Sequence, residues 1–179
     1  MKFKTISILK MNVIAMLFAP VFLFLIMYLY KLMEGKVEIP ELLGEQFSLF
    51  IILCVIVLLL SFFIHELIHA YFFSIYAFGG RKSVEIGFKW KKLLPYAFCK
   101  EALTRNQSLI AILMPSIILG FIPMVIAFSI DSFLLLCYSI IMVIGSLGDF
   151  IIIFLLLGIS RNSKIKGDET LKGFYVIES

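Results

Sequence analysis

Charge is scarce in this chain. Asp, Glu, Lys and Arg together make up 16% of its 179 residues against 62% hydrophobic ones, a balance that excludes an ordinary soluble domain and points to an integral membrane protein. Cysteine is scarce as well: Cys54, Cys99 and Cys137 stand far apart, so neither a disulfide framework nor the Cys-x-x-Cys spacing of a structural zinc site is available. Histidine is scarcer still, with His65 and His69 as the only two. A metal ion therefore has to be held by these imidazoles and by carboxylates. Apolar runs take most of the length, which leaves no room for an additional soluble domain of normal size, and 1–179 is expected to form one domain.

Four apolar runs, 12–30, 46–76, 106–130 and 132–160, reach the roughly 20 residues that a transmembrane helix needs to cross about 30 Å of hydrocarbon. The first is longer than the roughly 7–15 apolar residues of a secretory signal and has no small-residue cleavage site after Tyr30, so it reads as a retained span. The third carries Pro115, Gly120 and Pro123. Proline frees backbone carbonyls inside a helix, which is tolerated where neighbouring helices or a wet cavity satisfy them, so this span is expected to line the site or break beside it.

Between runs two and three, the near-alternating Ser83 to Trp90, a turn, and Tyr96 to Lys100 suggest a β-hairpin. Gly173 to Glu178 is a further strand candidate, expected to pair with that hairpin. The fold class that follows is an all-α membrane protein of four transmembrane helices with a small cytoplasmic β-hairpin between helices 2 and 3. Basic residues set the orientation. Lys2, Lys4 and Lys10 precede the first run and Lys31 and Lys36 follow it. Arg81, Lys82, Lys89, Lys91, Lys92, Lys100 and Arg105 fill the second loop, the third loop has none, and Arg161, Lys164, Lys166 and Lys172 lie in the tail. This alternation predicts a multi-pass protein of the cell membrane with N-terminus, C-terminus and hairpin all cytoplasmic. The basic loop then needs only the lipid bilayer as partner, at about 1 kcal/mol per Lys or Arg near anionic lipid, and no nucleic acid. Trp90 and the tyrosines read as interface anchors.

His65-Glu66-Leu67-Ile68-His69 lies within the second run. On a helix, positions i and i+4 share a face about one turn apart, so both imidazoles reach one Zn²⁺, and Glu66 sits beside the ion as general base for a coordinated water whose pKa falls to roughly 7. A catalytic zinc takes a third protein ligand. Of the 12 acidic residues only Glu66 and Asp149 lie well inside apolar runs, and a charge there costs about 2.5–3.5 kcal/mol on insertion scales, which makes Asp149 the candidate. Spans two and four run in the same direction, and at about 1.5 Å per residue His65 and Asp149 fall at depths within roughly 3–5 Å of each other. Gly145 and Gly148 leave room for a neighbouring helix beside Asp149. Glu101 and Asp168 remain as fallback ligands in polar segments, where they read as solvated surface charges. Asn106, Ser108, Ser116 and Ser146 read equally as oxyanion-side groups and as helix-packing residues.

The intramembrane His-Glu-x-x-His with a distant Gly-Asp on a later span resembles the site-2-type intramembrane zinc metalloproteases. The four-span layout over nearly the full chain is similar to a bacterial family of small zincin-type membrane peptidases. The resemblance implies zinc as cofactor, His65 and His69 as ligands, Glu66 as catalytic base and Asp149 as third ligand. Site-2 proteases carry Asp-Gly within an Asn-x-x-Pro-containing signature, whereas the order here is Gly148-Asp149-Phe150 and no such Asn and Pro precede it on the span. Their substrates are clamped by an edge strand near the membrane, a part that the hairpin of Val84 to Trp90 is expected to take. The expected function is hydrolysis of peptide bonds in a membrane protein or peptide that unwinds locally. The alternatives are a non-proteolytic zinc-binding assembly or binding factor and a metal or proton transporter.

Overall fold

The apolar runs emerge as helices in the computed structural model, which describes residues 2–5, 8–33, 47–89, 94–168 and 173–177. Helices α1 (Ile8–Leu32) and α2 (Phe47–Tyr76) occupy the first two runs. The third run is continuous over Arg105–Ser129 and comprises α3 (Arg105–Ser116), a π-helical turn (Ile117–Phe121) and α4 (Ile122–Ser129). Both α2 and this third run are long and apolar enough to cross a membrane. The outer face of α2 agrees: Leu49, Ile52, Leu59 and Leu60 are each more than half exposed, a surface that suits lipid rather than water.

The fourth run departs from a single helix over 132–160. Two helices, α5 (Phe133–Gly145) and α6 (Leu147–Leu157), meet at Ser146 and bend by 48°, so they count at most as one broken span. With α1 contributing a shorter apolar helix over Leu17–Leu32, the helices long enough to span number two, or three with the bent pair, among the described residues. Ile26 and Tyr30 of α1 pack against Met124, Ala127, Leu136, Ile140 and Val143 of α4 and α5. Asp131 turns the chain between α4 and α5 with a φ of 51° and accepts a hydrogen bond from the Tyr30 hydroxyl at 2.5 Å. At Gly145 an added Cβ would lie 2.7 Å from the Phe62 ring, so the glycine is what lets α5 approach α2.

Among the described residues six strands gather at the end of the bundle where α2 finishes and α3 begins, more β-structure than one hairpin. β2 (Val84–Lys89) pairs antiparallel with β3 (Leu94–Cys99), Val84 opposite Cys99. The C-terminal strand does not join this hairpin. β6 (Gly173–Ile177) pairs with β1 (Lys2–Thr5) and with β5 (Lys164–Gly167), and β5 pairs with β4 (Leu103–Thr104), giving the sheet order β1-β6-β5-β4. The reason is burial: Ile165, Phe174 and Val176 form one apolar cluster with Leu156, which draws the sheet onto α6. Trp90, Lys91 and Lys92 of the hairpin turn, together with Lys36, Lys172, Gln46 and Glu178, lie outside the described residues.

Three polar devices fasten this end. Thr104 and Gln107 form a reciprocal capping box at the start of α3. Arg105 is buried rather than a loop cation, and it donates from Nε to the Leu156 carbonyl at 2.9 Å and from Nη2 to Leu157 at 3.1 Å. It thereby caps the C-terminus of α6, where unpaired carbonyls and the helix dipole favour a cation. Glu101 joins the end of α2 to the hairpin, accepting from the Ser83 hydroxyl and from the amides of Phe78 at 2.7 Å and Gly79 at 3.0 Å. The Ser83 hydroxyl, followed by the Gly79 amide, holds the Glu101 carboxyl below the ordinary glutamate range.

Two expected outcomes follow from these contacts. Arg105→Met should destabilise the fold by about 1.5–3 kcal/mol, the scale of hydrogen bonds from a charged donor, read as a lower midpoint in SDS titration. The Glu101 group, with its folded pKa depressed, contributes stability above its unfolded pKa and loses it as pH falls through the folded value. Hydrogen exchange at Phe78 and Gly79 should accelerate on acidification, and Glu101→Gln should remove that pH dependence.

Candidate metal centre

The α-helical spacing of His65 and His69 sets their rings one turn apart on α2, with centroids 4.8 Å from each other. Asp149 approaches from α6. The break at Ser146 ends α5 and starts α6, which places Asp149 in the first turn of the new helix, where an anionic side chain is favoured. Across this interface His65 Nε2 lies 3.0 Å from Asp149 Oδ2, His69 Nε2 lies 3.5 Å from Asp149 Oδ1, and the two Nε2 atoms lie 3.2 Å apart. Both histidines are 7% exposed. These three residues are the group of potential metal donors found among the described residues, their ligand atoms all within 4.8 Å of one another.

The donor set fits zinc. Ligand bonds of about 2.0–2.1 Å in a tetrahedron give donor-to-donor edges of about 3.3–3.4 Å, and the separations of 3.0, 3.2 and 3.5 Å lie around that value. Three protein ligands also leave the fourth position that a catalytic site uses. The outer atoms of the two rings differ. His69 Nδ1–H donates to the Ala111 carbonyl of α3 at 2.9 Å, the kind of contact that fixes a ligand's tautomer and orientation. His65 Nδ1 is buried and has no hydrogen-bond partner among the described residues.

Glu66, His69 and Asp149 open together on a cavity of about 230 Å³. Phe73, Ile112, Ile152 and Leu156 form its apolar walls, and Ile165, Gly167 and Phe174 of β5 and β6 close one side. Its strand wall is β3, through Ala97, Phe98 and Cys99, which share the lining with Glu66. The strand beside the site is therefore not the Val84 to Trp90 segment, because β2 lies behind β3 in the hairpin and contributes nothing to the cavity lining. Glu101 and Asp168 line the same cavity outside the three-donor group. Asp168 is buried at 9% exposure and so is no solvated surface charge. Ser108 reaches the lining, Asn106 is exposed, and Ser146 donates its hydroxyl to the Met142 carbonyl. Nothing in the sequence marks Ala97 as a residue of the cavity, whereas the Ala111 carbonyl is marked by the proline four residues later.

The fold and site define a helical protein of membrane type in which two histidines and a carboxylate converge, and His69, Asp149 and the neighbouring Glu66 share one cavity. A family model described as putative zincin peptidase matches residues 58–163, more than half of the chain, and the protein belongs to that family. The matched stretch contains His65, Glu66, His69 and Asp149 and leaves α1, β5 and β6 outside. Comparison with curated proteins and with solved structures gave no match.

Purified protein should carry about one zinc ion per chain, as a single site with three protein ligands requires. Asp149→Ala, with His65 and His69 intact, should lose most of it by elemental analysis. Full retention would remove Asp149 from the ligand set.

Proposed function

We propose that the protein is a zinc-dependent, membrane-embedded endopeptidase that hydrolyses peptide bonds of membrane proteins or peptides within or next to the bilayer. It would sit in the cell membrane as four passes with termini and hairpin cytoplasmic. The observation that carries the reading is that Glu66 and the donors His69 and Asp149 open on one cavity walled on one side by residues of a strand. The pairing of β1 with β6 and of β4 with β5 puts both ends of the chain beside the start of α3, in keeping with termini on the hairpin side.

Zinc held by His65, His69 and Asp149 would supply Lewis acidity and a water whose pKa falls to about 7. Glu66, adjacent to His65 in the chain and facing the same cavity, takes the proton from the attacking water. It returns that proton to the leaving nitrogen, so that cleavage yields a carboxylate and an amine. The peptide lies extended along β3. Lys100 N–H donates to the Ser83 carbonyl of the hairpin, so by strand alternation Ala97 and Cys99 direct their backbone groups away from β2. Pro95, with no N–H to give, falls in that same outward set. A substrate strand added at this edge pairs with Ala97 and Cys99 beside Glu66, and the Phe73, Phe98, Ile112 and Ile152 walls receive apolar side chains. A helical substrate has its carbonyls engaged in its own ladder and must unwind locally before it pairs.

Glu66→Gln should keep zinc and lower peptide hydrolysis at least about 10²-fold, the usual scale for a positioned general base. The check is a comparison of membrane-protein fragments in cells making wild-type or variant protein, beside the zinc content of each. Fragments that are equally abundant with Glu66→Gln would sink the peptidase reading and leave a zinc-binding assembly or transport role.

A further inference from the structure

Proline has no backbone N–H, so inside a helix it leaves the carbonyl four residues earlier without its usual donor. In α3 the proline is Pro115 and the carbonyl is that of Ala111. This is the same carbonyl that accepts from His69 Nδ1. We propose that Pro115 is a positioning residue for the metal centre: by withholding an N–H from Ala111, it reserves that carbonyl for His69, sets the ring as the Nδ1–H tautomer and aims Nε2 at Asp149 and His65. The functional weight of this role rests on the zinc reading, whereas the hydrogen bond itself needs no metal.

The need is mutual. Ala111 is fully buried, so water does not reach its carbonyl, and a buried backbone acceptor without a partner is costly. His69 is the group that fills it, and the α2 packing against α3 brings the ring there. A carbonyl has two lone pairs, so restoring an N–H at 115 would weaken the His69 contact by competition and by drawing the oxygen back toward the helix axis. The primary effect should fall on His69, since His65 Nδ1 has no such partner among the described residues, and His65 should respond only through its Nε2 contact with His69. A rival role for Pro115 is purely steric, shaping the π-helical turn Ile117–Phe121 that begins two residues later.

Two replacements separate these roles. Pro115→Ala restores the N–H, and Pro115→lactic acid, which makes the 114–115 link an ester, removes the ring while still supplying no N–H. Full-length protein in detergent, labelled uniformly with ¹⁵N and treated with chelator, should show His69 as the Nδ1–H tautomer in the wild type and in the ester variant. A tautomer mixture is expected in Pro115→Ala, with the backbone amide signals of Phe78 and Gly79, far from the histidine pair in the fold, as the control for an intact fold. Zinc affinity, measured by competition with a chromophoric chelator, should fall 10- to 100-fold in Pro115→Ala, the scale for losing a group that orients a metal-ligating histidine, and stay near wild type in the ester. An unchanged His69 tautomer in Pro115→Ala would overturn the proposal, as would equal losses in both variants, which would assign the effect to the ring. If the wild type itself bound no zinc, the metal reading would fail while the tautomer comparison still decided the role of Pro115.

Discussion

A carboxylate and two imidazoles inside an apolar bundle are tolerable because they face one another. Asp149 reaches His65 and His69 across the contact of α6 with α2 at 3.0 and 3.5 Å, and the remaining architecture keeps those helices in register. Arg105 ties the start of α3 to the end of α6. The Ala111 carbonyl of α3 holds the outer nitrogen of His69 on α2. The result is a closed circuit of α2, α3 and α6 in which each helix contributes one polar group to the next. Without that circuit each group would be left in an environment that offers no water to replace it.

Departures from regular helix cluster around this circuit. α5 stops and α6 starts at Ser146, which turns a residue of the fourth run into a first-turn carboxylate. Pro115 interrupts the ladder of α3 one turn beyond Ala111, and a π-helical turn follows. In a membrane a regular helix satisfies every backbone group internally, so each interruption has to be compensated by a neighbour. Here the compensations are the His69 ring for Ala111 and, at the break, the Ser146 amide for Val143. Irregular helix of this kind at a polar cluster is where local rules give way to chemistry.

The cavity joins two parts of the chain with different standing. Its chemical end, Glu66, His69 and Asp149, lies in the stretch that matches the zincin family, as does the β3 wall. The opposite side is closed by Ile165 and Gly167 of β5 and Phe174 of β6, two strands beyond the matched stretch, of which β6 pairs with the N-terminal strand. At Gly167 an added Cβ would lie 2.8 Å from the Phe98 ring, so β5 sits closely against β3 at the cavity edge.

The sequence by itself determined the apolar runs, the hairpin, and the pairing in depth of His65 with Asp149, because composition, alternation and helical rise are local properties that survive without knowledge of neighbours. It also marked the third run as irregular through Pro115 and Pro123. Tertiary structure alone decided that the fourth run breaks at Ser146, that β6 joins β1 and β5 rather than the hairpin, that β3 faces Glu66, and that Arg105 and Asp168 are buried. Each of these depends on which surfaces meet. Leu156, Ile165 and Phe174 are ordinary apolar residues until packing sets them together, and a backbone carbonyl such as the Leu156 group that receives Arg105 carries no letter in the sequence. Local pattern says which groups need partners; only the packed chain says which partner each one receives.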